Sequence, residues 1–274
     1  HLKPPYSDQF SIGMRNRVGD WNTSATVSRV LSYDGFALTL GNRFPNGSFW
    51  MNGGQPWGNG IPGFGSLILG GSGFERKATE VLLSAEKPYT EESGWGTTFA
   101  YTFTDAKQNH IHIDDCCAFD EETVKQYPWI TSNAAARHRL VATGSLRGPW
   151  ELIFGGKLTV ASPLPFTDLA CGILKPGTFY PTGSSCTPIS VTPLDGVGFS
   201  SLDLQVTKNF MVYREQTGYV RVDLINALNS ANYKDIITNY GSNGVANPHP
   251  VKYNTTGNVL GAPQTLRLTV GYKF

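Results

Sequence analysis

Leu266-Arg267-Leu268-Thr269-Val270-Gly271-Tyr272-Lys273-Phe274 closes the chain and decides how the rest is read. Successive side chains of a strand point to opposite faces, so Leu266, Leu268, Val270, Tyr272 and Phe274 share one face. Arg267, Thr269, Gly271 and Lys273 share the other. An apolar, aromatic-ended strand of this kind is a hazard as an open edge in water. It is stable if one face meets lipid and the other meets an aqueous or protein-filled lumen.

The same alternation recurs upstream. Phe10, Ile12 and Met14 form one stripe, Trp21, Thr23, Ala25 and Val27 a second, and Thr79, Val81, Leu83 and Ala85 a third. Trp95, Phe99, Tyr101 and Phe103 follow, then Leu140, Ala142 and Leu146. Trp150, Leu152, Phe154, Leu158 and Val160 come next, then Leu202, Leu204 and Val206, and Val220, Val222 and Leu224. With the last segment this gives about nine strands, each near the length of a tilted membrane strand. Arg15, Arg17, Glu80, Glu86, Arg139, Glu151, Lys157, Asp203, Arg221, Asp223 and Arg267 fall opposite the apolar stripes. That sorting is expected where an Arg or Lys on the lipid side costs roughly 2–4 kcal/mol at mid-bilayer. Arg29 and Lys208 break the parity near strand ends, where long side chains reach the interface.

The connections alternate in length. Val18-Gly19-Asp20, Lys87 to Gly94, Arg147-Gly148-Pro149 and Asn209 to Gly218 are short. Asp34 to Lys77, Asp105 to Ala136, Ala161 to Val197 and Asn229 to Gly261 are long. Loops of that length are uncommon in compact soluble domains. Short periplasmic turns and long extracellular loops are the pattern of an outer-membrane barrel, and they bring Phe274 to the periplasmic rim. The expected fold is therefore all-β: the C-terminal part of an antiparallel transmembrane β-barrel.

Composition agrees without deciding. Charged residues make up 16% of the chain, while 31 Gly, 15 Phe, 12 Tyr and 6 Trp suit a barrel wall with long loops. A secreted soluble β-sandwich remains an alternative on these grounds. A net charge of +1 gives no electrostatic case for nucleic acid. No run approaches the ~20 apolar residues of a membrane helix, a statement that does not touch barrels. The opening His1-Leu2-Lys3-Pro4-Pro5 lacks the pattern of a signal peptide, so for an exported protein either the signal has been removed or, as expected, the chain is part of something longer.

Leu2-Lys3-Pro4-Pro5-Tyr6-Ser7-Asp8-Gln9-Phe10-Ser11 leads into the first strand. Arg137-His138-Arg139-Leu140-Val141 precedes a short turn, and Val222-Asp223-Leu224-Ile225-Asn226-Ala227-Leu228-Asn229 ends the penultimate strand. With the terminal Gly271-Tyr272-Lys273-Phe274, these stretches resemble the C-terminal part of a TonB-dependent outer-membrane receptor, most nearly the Oar-like ones. The resemblance implies a barrel of twenty-two strands around an N-terminal plug, energised through TonB in the bacterial outer membrane. It also implies that Leu266, Leu268, Val270, Tyr272 and Phe274 act as the signal read by the barrel-assembly machinery. Residues 1–274 show no plug and no TonB box, and about nine strands are too few to close such a barrel. The expected partners are outer-membrane lipid, the rest of the barrel with its plug, and TonB through the missing part.

Candidate sites lie in the long loops. Phe49, Trp50, Trp57 and Phe64, among glycines and prolines, offer aromatic faces to a sugar or other apolar ligand surface; the same residues also suit a packed lid. His110 and His112 would share a strand face beside Asp114, Asp115, Cys116 and Cys117, a donor set for a divalent cation. No recognised metal spacing is present, and a solvated acidic loop explains the same residues. Cys171 and Cys186 are spaced for a disulfide in an exported protein. No G-x-S-x-G, H-E-x-x-H or P-loop occurs, so no catalysis and no organic cofactor are expected. The functional expectation is nutrient import, for example of a siderophore, saccharide or peptide. A surface adhesion module without import is the alternative.

Overall fold

Period-two alternation becomes one antiparallel sheet. The computed structural model describes residues 2–41, 67–109, 123–171, 186–193, 197–213, 216–237 and 251–273. In chain order the strands are β1 (Tyr6–Val18), β2 (Trp21–Gly41), β3 (Leu67–Lys87), β4 (Trp95–Gln108), β5 (Ile130–Thr131), β6 (His138–Arg147) and β7 (Leu152–Ala161). Then come β8 (Phe166–Cys171), β9 (Cys186–Val191), β10 (Phe199–Tyr213), β11 (Gln216–Ile225), β12 (Ile236–Ile237), β13 (Lys252–Tyr253) and β14 (Thr265–Lys273). The sheet runs β1-β2-β3-β4-β6-β7-β10-β11-β14, with β5 on the end of β4; β8–β9 and β12–β13 are separate hairpins within connections. Neighbours in sequence are neighbours in space, as in an up-and-down wall. Among the described residues β1 and β14 are unpaired on their outer edges.

All four short connections lie at one end of the sheet (the turn end) and the long ones at the other (the loop end). Gly19 with φ 59 takes the first place of the two-residue turn between Val18 and Trp21, where a left-handed residue matches the strand twist. The strands reach further than the sequence suggests. The stretch Asp34 to Lys77, expected to be loop, contains the ends of β2 and β3, paired as far as Gly41 opposite Leu67. A bulge around Asp34 (φ 54) and Gly35 shifts the register there, and that slip breaks the alternation by which the strand would be recognised. β4 likewise continues through Asp105 to Gln108, and β10 and β11 extend to Tyr213 and Gln216. Trp150 and Glu151, expected in a strand, form instead a turn with φ 54 and 56. The sorting of Glu151 onto the polar strand face is thereby corrected.

The apolar face is bare. Ile12 is 78% exposed and Leu266 71%, with Met14, Leu83, Phe99, Leu146, Leu204 and Leu268 all exposed as well. Buried apolar residues among those described are Ala37, Val124, Tyr127, Ile130 and Ala161, at the loop end or on the polar side. A soluble sandwich would cover this face with a second sheet. No second sheet lies over it among the described residues, which removes that alternative.

The apolar belt also slants across the hydrogen-bond rows. The row of Ile12 runs through Val27, Val81 and Phe103 to His138. The row of Leu268 runs through Val222, Val206, Phe154 and Leu146 to Trp95. On β4 these rows stand at residues 103 and 95, so the belt drops by about one residue per strand between β1 and β14. With strands ~4.8 Å apart and ~3.3 Å per residue, a level belt requires a tilt of about 35°. That tilt belongs to membrane barrels, and a flat soluble sheet has no reason to keep it.

Candidate functional site

The face opposite the belt is polar from strand to strand. Register places Arg17, Asn22, Glu86, Thr98, Thr143, Lys157 and Asp203 in one cross-strand row. Opposite charges in such a row are favourable neighbours, and none meets the apolar belt. A concavity of about 590 Å³ lies over Arg15, Arg17, Asn22, Ser24, Ser84 and Glu86. Ser24 and Ser84 share a hydrogen bond of 2.7 Å across it.

At the other end of the sheet the charges are tied together. Asp223 is 6% exposed and accepts a 2.9 Å hydrogen bond from Arg267 Nε. Arg221 Nε approaches the same carboxylate oxygen at 3.3 Å without hydrogen-bond alignment. A carboxylate this buried needs its cations, because leaving it unpaired would cost several kcal/mol, of order 3–5. Gly155, on the inner face opposite Gln205, leaves the neighbouring wall low, and with Lys157, Gln205, Asp223 and Arg267 it borders a concavity of about 430 Å³. The result is a polar inner wall.

Side chains also fasten the long connection after β11 to this wall. Asp203 accepts a bond from the Asn226 backbone N–H at 2.9 Å. Asn226, at φ 50, donates through Nδ2 to the carbonyls of Ser230 and Ala262 and accepts from the Ser230 N–H. Asn232 makes a two-way pair with the Ser200 backbone, at 2.7 and 2.9 Å. At the loop end of β3 and β4, Asn109 donates to the Gly73 carbonyl, and Ser132 donates to Gln108. Arg76 stands beyond the belt over the Phe74 ring at 4.8 Å, and burial lowers its pKa from the ordinary value.

The candidate ligand residues Phe49, Trp50, Trp57 and Phe64 lie outside the described residues, as do His110, His112, Asp114 and Asp115. Among the described residues no three metal-ligating side chains gather. The backbone register sets Cys171 directly opposite Cys186 at the far end of the β8–β9 hairpin, while their side chains lie outside the description. Leu266, Leu268, Val270 and Tyr272 share the exposed apolar face, and Phe274 is outside the described residues. The Asp223 knot was visible in sequence only as charges of correct parity. That Asp223 pairs with Arg267 follows from register.

A one-layer antiparallel sheet with one apolar face, one polar face and a slanting belt is the wall of a transmembrane β-barrel. The comparison with solved structures agrees: the chain superposes on the outer membrane transporter YddB from Escherichia coli with a TM-score of 0.56. Identity is 10%, and the match covers 98% of this chain and 32% of that one. The chain thus spans about a third of the length of that transporter. No family model matches the chain, and no curated protein matches it in sequence.

Proposed function

We propose that this chain is the C-terminal part of the barrel of a TonB-dependent, Oar-like receptor that imports a scarce nutrient across the bacterial outer membrane. The observation that carries the proposal is the combination of a slanting, bare apolar belt with a polar inner wall that holds the Asp223–Arg267 pair, on a fold shared with an outer-membrane transporter. The bare belt is supplied with lipid, and the polar face with a plug and the ligand path. The turn end is periplasmic and the loop end extracellular. In this reading TonB acts through a plug domain supplied by the rest of the receptor, the barrel-assembly machinery recognises β14, and the chain performs no catalysis.

The test uses the full receptor containing this chain. Outer-membrane fractionation and heat-dependent gel mobility establish the barrel. Uptake of labelled nutrients that is abolished by deleting TonB then establishes import. A heat-modifiable outer-membrane protein whose deletion changes attachment to surfaces, with every uptake rate unaltered, would favour the adhesion alternative.

A further inference from the structure

We propose that the outer face of β3 and β4, just beyond the apolar belt at the loop end, is a binding site for the phosphate groups of an outer-leaflet lipid. The inference rests on the membrane reading above and adds a ligand to it. Lys77 has the parity of Thr79, Val81 and Leu83, and Lys107 that of Phe103 and Tyr101, so both stand on the lipid side. They are direct cross-strand partners. Like charges placed opposite each other are destabilising unless an anion joins them.

The height is right for a headgroup. With the belt centred near Leu83 on β3 and near Phe99 and Tyr101 on β4, the two lysines stand about 15–20 Å from its midline. The belt's half-height is only about 12 Å. Aromatic groups frame the site from below and beside. Lys77 Nζ lies 3.9 Å from the centre of the Trp129 ring, and Arg137 Cζ lies 5.7 Å from that of Phe103. His138 packs on Phe103 and shares a 2.8 Å hydrogen bond with the Tyr101 hydroxyl. Arg29, lower on the same face, bonds the Thr79 hydroxyl.

The acidic residues of this face are Asp8, Glu75 and Asp105, and Glu75 pairs with Lys125 at 3.6 Å. None of the three forms an ion pair with Lys77, Lys107, Arg29 or Arg137 among the described residues. With Lys125 and Glu75 counted, five cations against three carboxylates leave the patch net positive at the level where lipid phosphates lie. Cations in that position attract anionic headgroups, and a phosphate between two lysines gains charge-assisted hydrogen bonds. A neutral or zwitterionic surface would leave the lysine pair repelling.

The experiment measures binding of diphosphorylated lipid A to the full receptor in detergent, by native mass spectrometry. The parent is compared with the Lys77→Gln/Lys107→Gln double variant and with Arg15→Gln, a loss of charge on the inner face. The expected result is at least about a tenfold loss of lipid A binding in the double variant alone, with heat-dependent mobility unchanged. The dephosphorylated glycolipid should bind the parent as weakly as the double variant binds lipid A. Equal lipid A binding by parent and double variant overturns the site. Displacement of lipid A by millimolar inorganic phosphate overturns the lipid as its ligand. A receptor that binds lipid A but shows no heat-modifiable barrel would instead overturn the membrane reading.

Discussion

The two faces of β11 and β14 take alternate residues of the same two strands, yet they solve opposite problems. On one face Leu266, Leu268 and Val270 stand exposed beside Leu224, Val222 and Val220, with nothing among the described residues packed over them. On the other, one residue away at each step, Asp223 is buried between Arg221 and Arg267. In a soluble protein the apolar face would be covered and the charged one left in water. Here the apolar side is left to the surroundings and the charges satisfy one another, which is the arrangement for a sheet between lipid and a confined interior.

The comparison breaks most clearly under a change of face. Leu268→Arg, in the belt, is expected to destabilise the assembled barrel by about 2–4 kcal/mol, whereas Thr269→Arg next to it should cost under about 1 kcal/mol. Urea titration of heat-dependent mobility in the full-length protein containing this chain reads the difference. Equal effects at the two positions would mean that the faces do not differ in solvent.

The next effect lies within the polar face. Asp223→Ala leaves Arg221 and Arg267 without their shared carboxylate. Both guanidinium groups keep partial access to solvent, so the loss should be about 1–2 kcal/mol, less than for a fully buried pair. Arg267→Ala should cost less than Asp223→Ala, because Arg221 still neutralises the carboxylate. The reverse order in the same titration would show that Arg267 holds the strand by packing alone.

A smaller effect sits at the last turn of β14. The Tyr219 ring lies across Gly271, its register partner, so that a Cβ there would fall 2.0 Å from a ring carbon. Gly271→Ala must push the ring aside, at about 1 kcal/mol. Combining it with Tyr219→Ala should restore most of that loss; an additive double variant would place the cost in the backbone.

Where sequence reading succeeded, the signal was local and physical. Alternation in Phe10–Met14, Val81–Ala85 and Leu266–Tyr272 reports a face directly, and the nine long strands and their order follow from it together with loop length. Where it fell short, a local irregularity hid a strand. The bulge at Asp34 and Gly35 reversed the parity, and the strand beyond it passed for loop. Lys77, Asp105 and Lys107 were likewise assigned to loops, because polar residues end the apolar alternation there, although they mark the upper edge of the lipid side. Trp150 passed for the start of a strand because its neighbours alternate; only a left-handed backbone, rarely held by a large residue, shows the turn. The partners of Asp223 required register, which composition does not carry.

The smallest expected effect concerns the β8–β9 hairpin, which stands outside the main sheet. Directly opposed strand residues are the closest cross-strand neighbours, and Cys171 and Cys186 hold such a pair at the end of six register partners. Bridging them closes only the loop between, so the constraint acts on the hairpin and its connection and not on the nine-stranded wall. The native full-length protein should therefore resist maleimide labelling at both positions until reduced. Cys171→Ser/Cys186→Ser should leave the urea midpoint of the barrel unchanged while raising proteolytic cleavage between β8 and β9. Free labelling of Cys171 and Cys186 without reductant would remove the bridge. A lowered barrel midpoint in the double variant would mean instead that the hairpin braces the wall, and the separation between belt and loops drawn above would have to be redrawn at β7 and β10.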